Sequence, residues 1–291
     1  MPAAVWEFDA VGTTWQIETE TVLTGEVRSA VAGLIRDFDL AWSRFRDDSL
    51  VSMLAAAPGT RPAPPDTSAM LDAYLALSSA TSGAVNPLVG DALAHRGYDA
   101  TYRLADHGPL PAPDRWTEIL RWTREDIELT EPATIDVGAV GKGRLVDRVL
   151  AMVSACTDGR IVVDASGDLA VRTGRGGSHP ERVALEHPFD SRRAIGVWEI
   201  ADAALCASAV NRRAWGDGLH HVLDARTGEP VRTIAATWAV AGEAMTADAA
   251  ATALFFDGGP AYAAAVGAHW VRMTTDGRVE WSPGCKAELF S

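Results

Sequence analysis

Basic residues are in deficit in this 291-residue chain: 26 Lys and Arg stand against 39 Asp and Glu, a formal net charge of -13. An excess of negative charge repels nucleic acid and anionic membrane surfaces, so neither is expected as a partner. Cysteine is also sparse. Cys156, Cys206 and Cys285 are widely separated, odd in number and form no C-x-x-C pair, which argues against a disulfide framework and fits a reducing compartment. Each thiol is expected as a small buried hydrophobe. Long apolar runs are missing too: the longest, Ala249 to Phe256, is interrupted by Thr252 and is too short to span a bilayer. The segment Met1-Pro2-Ala3-Ala4-Val5-Trp6-Glu7-Phe8-Asp9 has no basic n-region and carries acids early, so no signal peptide and a cytoplasmic location are expected.

The named phosphate motifs are absent as well. A Walker A loop needs a glycine five residues before Gly141 and Ser or Thr after the lysine, where this chain has Asp136 and Gly143. A dinucleotide fingerprint needs G-x-G-x-x-G, whereas the glycines here run G-x-x-G-x-G. What is present is Ile135-Asp136-Val137-Gly138-Ala139-Val140-Gly141-Lys142-Gly143-Arg144-Leu145-Val146-Asp147, a carboxylate and a small-residue turn running into a lysine and a helix start. Backbone N–H groups at a helix N-terminus attract anions, small residues permit close approach, and Lys142 adds a full charge. The segment therefore predicts a local site for a phosphorylated ligand, against the plainer reading of an ordinary strand-turn-helix connection with a solvated lysine.

With 47% hydrophobic residues the chain can bury a substantial core, as a single domain over 1–291 or as two lobes. Val11 to Thr24 reads as an early strand and Val27 to Ser43 as a helix, with Val31, Leu34, Ile35, Phe38 and Trp42 at helical spacing. Pro58 to Pro65 and Pro109 to Pro113 read as loops, with helical spacing resuming from Met70 to Ser79. Strands are predicted at Ile127-Leu129, Ile161-Val163, Val183-Leu185 and Val197-Ile200, with a glycine-rich break at Gly174-Arg175-Gly176-Gly177. Near the end, Thr237-Val240 reads as a strand, Met245-Phe256 as an Ala-rich helix, and Trp270-Thr274 with Val279-Trp281 as a hairpin around Asp276-Gly277. Strands and helices mix without a regular βαβ alternation, so the expected class is α+β, with mixed or antiparallel sheets and packed helices.

Two further segments carry chemistry. In Ala247-Asp248-Ala249-Ala250-Ala251-Thr252 a carboxylate and a hydroxyl stand four residues apart, on one helix face and one turn apart. That pair can serve as part of a site for a hard cation such as Mg²⁺; the plainer reading is an exposed Asp and a packed Thr. In His220-His221-Val222-Leu223-Asp224-Ala225-Arg226-Thr227-Gly228-Glu229-Pro230, adjacent histidines in a strand face opposite ways, so one alone would enter a site, as base, donor or anchor. His220 is the one with a credible surface reading.

Six segments, in order, resemble the flavin transferases of the ApbE type, the FAD:protein FMN transferases: Val11-Gly12-Thr13-Thr14-Trp15, Ser43-Arg44-Phe45-Arg46-Asp47-Asp48-Ser49, Ser82-Gly83-Ala84-Val85-Asn86-Pro87-Leu88-Val89-Gly90, Asp136 to Asp147, His221 to Gly228, and Ala247 to Thr252. The resemblance implies an ApbE-like, T-fold-like architecture, with Mg²⁺ held by Asp248, Thr252 and the Ala139 carbonyl. It places FAD against Val11, Phe45, Ala84, Val85, Asn86, Asp136, Lys142 and Val222. It also implies transfer of FMN from FAD to a threonine hydroxyl of an acceptor protein, with AMP leaving and His221 assisting the proton. Val11 stands where the family has Met, Asn86 where Asp is common, and Ala225 where Pro is usual. Ala207-Ser208-Ala209 replaces Thr-Ser-Gly, and Asp164-Ala165-Ser166-Gly167-Asp168 lacks one family glycine. These departures keep two other functions in view: an FAD-binding protein without transfer, and a pyrophosphatase giving FMN and AMP.

Overall fold

The computed structural model describes residues 4–174 and 180–290. Its frame is an eight-stranded antiparallel sheet in the spatial order Ala4–Ala10, Thr13–Thr19, Ile161–Asp164, Asp168–Arg172, Ala203–Ala209, Ile234–Ala241, His269–Thr274 and Val279–Trp281. Successive residues of a strand point to opposite faces. Val163, Ala170, Ala204 and Cys206 thus join a core shared with the helices Gly25–Trp42, Thr67–Ala80, Gly141–Ser154 and Ala244–Ala253. Their neighbours Val162, Leu169, Val171 and Leu205 face a second core, closed by a three-stranded sheet of Glu181–Glu186, Ala194–Ile200 and Glu288–Leu289. The α+β expectation is what the structure shows: helices on one face of an antiparallel sheet, a smaller sheet on the other.

Local signals explain the helices that frame the site. Thr24 caps Gly25–Trp42 by accepting the Val27 N–H at 3.3 Å, and Ser49 caps Leu50–Ala56 by accepting the Ser52 N–H at 3.1 Å. Gly141–Ser154 buries Leu145, Val146, Val149 and Val153 at helical spacing. Ala244–Ala253 is buried almost all round and built mainly of alanine, so a neighbouring helix can come very close. Gly143 makes that contact: a Cβ there would lie 2.3 Å from the Ala244 carbonyl oxygen and 2.7 Å from Asp248 Cβ.

Several expectations need correction. The predicted strand Val11 to Thr24 is the second arm of a hairpin, Ala4–Ala10 with Thr13–Thr19, turned by Val11 and Gly12 at φ 45° and 76°. The Pro58 to Pro65 loop contains the strand Gly59–Pro62; proline is tolerated there because it ends an edge strand paired with Asp126–Leu129. Only Cys206 is a buried thiol; Cys156 is exposed and Cys285 half-buried, since each lies outside the regular core elements. Residues 175–177 of the glycine-rich break and residues 1–3 of the N-terminal segment lie outside the described residues. Within the described residues no helix is long and apolar enough to cross a membrane.

The Gly141–Ser154 helix is held mainly by its buried face. Leu145→Ala, at a fully buried position, is expected to cost about 2–5 kcal/mol in urea unfolding. Leu75→Ala, at an exposed helical position, is expected to stay within about 0.5 kcal/mol of the wild type.

Candidate functional site

Two helices meet at the centre of the site and cap each other. Asp147, on the Gly141–Ser154 helix, accepts the N–H groups of Ala244 and Met245 at 2.7 and 2.9 Å, at the start of the Ala244–Ala253 helix. Asp248, on that second helix, returns the interaction by accepting the Gly143 N–H at 2.9 Å. Neither helix start has a side-chain cap of its own, so each is capped by a carboxylate from its partner. The exchange has a consequence for Ala139. In a regular helix the Gly143 N–H would donate to the carbonyl four residues back; here it donates to Asp248, and the Ala139 carbonyl is released from the ladder.

The turn before the lysine is braced by its own side chains. Asp136 Oδ1 accepts the Gly138 N–H at 2.7 Å, and the buried Tyr74 hydroxyl donates to the Asp136 carbonyl at 2.9 Å while accepting the Ala139 N–H at 3.2 Å. The Val140 and Gly141 N–H groups close on the Val137 carbonyl. This corrects the reading of the turn as an open nest of anion-binding N–H groups. Those donors are already used within the protein, and the groups the turn presents are an acceptor carbonyl and the charge of Lys142.

Lys142 Nζ lies 3.1 Å from Asp168 Oδ2 and donates to the Ala165 carbonyl at 3.3 Å. The sharp turn between Ile161–Asp164 and Asp168–Arg172 brings both partners to it, with Ser166 at φ 57° and Gly167 at φ 103°. Burial opposes the Lys142 ammonium, but the Asp168 and Asp248 carboxylates outweigh it and hold its pKa above the ordinary value. Burial, reinforced by repulsion from Asp168, pushes Asp248 well above the usual carboxylate range. Asp168 is itself 1% exposed, and its Oδ2 accepts no hydrogen bond despite the nearby ammonium. Two buried carboxyl groups thus crowd one lysine, with the positive charge of Arg213 also acting on Asp248. Thr252 follows Asp248 by one turn on the same helix face, as its spacing predicts.

The histidine pair is resolved differently from its sequence reading. His220 ends a short strand, Leu219–His220, and is buried, with Nε2 at 2.9 Å from the Val231 carbonyl and Nδ1 accepting the Val222 N–H at 3.3 Å. A surface place for it is therefore excluded. His221 lies beyond that strand, and its Nδ1 is buried without a hydrogen-bond partner. Burial, helped by the positive charge of Arg213, pushes its pKa down to about 3. Val222 is likewise not in a strand; it is buried between Leu219–His220 and Leu223–Asp224, with its carbonyl accepting the Val231 N–H. The cause is a chain that bends at His221 instead of continuing the ladder.

The remaining predicted contact residues are held by separate parts of the fold. Val11 sits at the hairpin tip at φ 45°, a conformation that costs a β-branched residue strain. Phe45 is ringed by aromatic and cationic neighbours, with Tyr102 stacked at 5.4 Å and Tyr98 edge-on at 5.3 Å. Ala84 and Val85 are buried, and Ala84 is tied to the histidine segment through its carbonyl, which accepts the Ala225 N–H. Asn86 spends both polar ends on backbone: Oδ1 accepts the Leu88 N–H and Nδ2 donates to the Pro113 carbonyl, each at 2.8 Å. Beside it a cavity of about 510 Å³ is lined by Ser82, Gly83, Pro111, Trp116 and Arg226. Residue-type reasoning missed Tyr74, Arg44, Asp147 and Asp168 as parts of the site. Arg44, Asp147 and Asp168 lie within segments already singled out, whereas Tyr74 carries no local signal.

A helical layer on an antiparallel sheet, with a carboxylate-clasped helix pair beside a lysine, defines the class of protein. The chain belongs to the ApbE family, whose model matches residues 11–271. Relatives include an FAD:protein FMN transferase of Rhodobacter capsulatus, 28% identical across 97% of this chain, and one of Treponema pallidum (strain Nichols), 26% identical across 76%. The chain spans 57% of the length of the first and 68% of the second. Among solved structures it resembles the ApbE protein of Thermotoga maritima, with TM-score 0.84 and 22% identity over 97% of both chains. It also resembles the apo form of the Pseudomonas stutzeri flavinyl transferase ApbE, with TM-score 0.80 and 20% identity over 97% of this chain and 95% of that one. Those likenesses show a shared fold.

His221 gives this site a signature in stability. Its folded pKa of about 3 lies below the ordinary 6.5, so its contribution is fully present above pH 6.5 and is lost as pH falls towards 3, while the unfolded chain takes up the proton. The drop in melting temperature between pH 7 and 5 is expected to be smaller in His221→Gln than in the wild type. Identical slopes would show that His221 is not held neutral.

Proposed function

We propose that this chain is an FAD:protein FMN transferase that uses Mg²⁺ and a threonine hydroxyl acceptor. The observation that carries the reading is the Gly143 N–H, which donates to the buried Asp248 carboxylate at 2.9 Å and not to the Ala139 carbonyl. Asp248 Oδ2 is committed to Gly143, which leaves Oδ1 for a cation. Together with the Thr252 hydroxyl and the Ala139 carbonyl it makes a short, hard, all-oxygen donor set. Mg²⁺ favours such partial sets because it completes its octahedron with water and phosphate oxygens. Burial and the neighbouring Asp168 make the Asp248 charge unfavourable on its own, which a cation would relieve, so the residues fit the ion.

When bound, Mg²⁺ neutralises the FAD pyrophosphate and acts on it as a Lewis acid. The chain's own residues do the rest. Lys142 stays protonated beside Asp168 and supplies positive charge at the pyrophosphate. The acceptor hydroxyl oxygen attacks the phosphorus on the flavin side; a new P–O bond forms, and the bond to the AMP phosphate oxygen breaks. The neutral His221 offers its unpartnered Nδ1 to the hydroxyl proton as that bond forms. An imidazole held at about 3 in the resting protein is a weak base, so this role draws on the negative charge that the substrate phosphates bring. An acidic chain handles a pyrophosphate in this way because its neutralising charge is concentrated at one point.

Incubation with FAD, Mg²⁺ and a threonine-containing acceptor peptide is expected to release AMP and label the peptide covalently. Asp248→Asn retains an oxygen for Gly143 but loses the charge, and is expected to lower both signals by about 100-fold or more while the metal-free melting temperature holds. AMP without labelled peptide would support hydrolysis instead, and FAD bound unchanged would support a flavin-binding protein.

A further inference from the structure

Arg44 is the most deeply buried cation of the site, with a side chain only 4% exposed. Its guanidinium is partly spoken for. Nε donates to Asp136 Oδ2 at 2.6 Å and Nη1 donates to the Tyr98 carbonyl at 2.8 Å. Nη2 is buried and has no acceptor at all. A buried guanidinium N–H without an acceptor is costly, and such a group in a binding site marks the place of an absent ligand atom.

The surroundings say what kind of atom. The charge of Arg44 is already balanced by Asp136, so the open N–H calls for a neutral acceptor rather than a phosphate. The guanidinium carbon lies 4.2 Å from the Phe45 ring centroid and 4.9 Å from that of Tyr98, and Tyr98 stacks in turn on Trp215 at 5.5 Å. A planar ring bearing carbonyl oxygens suits these aromatic walls; adenine has no carbonyl to offer. Tyr102 supplies the way in. It stacks on Phe45 with an interplanar angle of 6°, yet is 53% exposed and held at φ 52° on a loop where Leu104 is also at φ 53°. Its contact is the least costly in the cluster to give up.

We propose that Arg44 is a further substrate-binding residue, whose Nη2 donates to a ring carbonyl of the flavin as that ring takes the place of Tyr102 on Phe45. The proposal rests on the flavin reading above and extends it, because it fixes which end of the dinucleotide lies at Phe45 and Asp136. Arg44→Lys keeps a cation for Asp136 but loses the forked donor.

The test measures FMN and ADP binding, with Mg²⁺ present, to the wild type and to Arg44→Lys, and the midpoint potential of bound FMN. The variant is expected to bind FMN about tenfold more weakly, the size of one charge-assisted hydrogen bond, and ADP within about twofold. The bound flavin is expected to become harder to reduce, because a donor at a ring carbonyl stabilises the reduced, electron-rich ring; a merely structural arginine would leave that potential unmoved. Unchanged FMN affinity and potential, or an equal loss for FMN and ADP, would overturn the Arg44 assignment. A wild type that binds ADP but not FMN overturns the flavin reading together with it.

Discussion

The exchange of carboxylates between the Gly141–Ser154 and Ala244–Ala253 helices is the interaction on which the site depends. Asp147 satisfies the N–H groups at the start of one helix, and Asp248 satisfies one at the start of the other. Such an exchange needs the helices almost in contact, which Gly143 and the alanines of 244–253 permit. The close approach has a second effect. By drawing the Gly143 N–H to Asp248, it leaves the Ala139 carbonyl without that helical donor.

Charge is arranged around that clasp with unusual concentration. Buried carboxylates are normally paired or protonated. Here Asp168 and Asp248 share Lys142, and the lysine is further held by the Ala165 carbonyl. A second buried pair, Arg44 with Asp136, sits one layer outward and is braced by Tyr74 through the backbone of the same turn. Asp136 balances the charge of Arg44.

Much of this arrangement could be read from residue patterns, and the remainder has a common physical reason. The helix over 25–42, the strands at 127–129 and 161–163, and the hairpin across Asp276-Gly277 follow from periodicity and turn chemistry that lie within one segment. The Asp248 and Thr252 pair was legible because helical spacing alone puts the two on one face. Tyr74 was not, since its hydroxyl acts on Asp136 and Ala139, far along the chain, and a tyrosine in a helix looks like any core residue. The anion-turn reading failed for a related cause: a helix N-terminus presents free N–H groups only when nothing else caps it, and the capping groups here come from another helix and from Tyr74. The strand at Val222 failed because a bend at His221 is set by the packing of His220 and Val231, not by β propensity in the segment itself.

That bend also decides what the histidine can do. A straight strand would have placed His221 on the face opposite His220 with its ring open to solvent and an ordinary pKa. Bending buries its Nδ1 without a partner, at a cost that a simple structural histidine would relieve by hydrogen bonding. His220 shows the relieved case one residue earlier, with both ring nitrogens engaged by backbone. Two neighbours of the same type, one buried and one half-buried, differ in that one is satisfied by the fold and the Nδ1 of the other is not. The Arg44 Nη2 is left in the same way. Both are buried polar nitrogens whose hydrogen-bonding capacity the fold itself does not use.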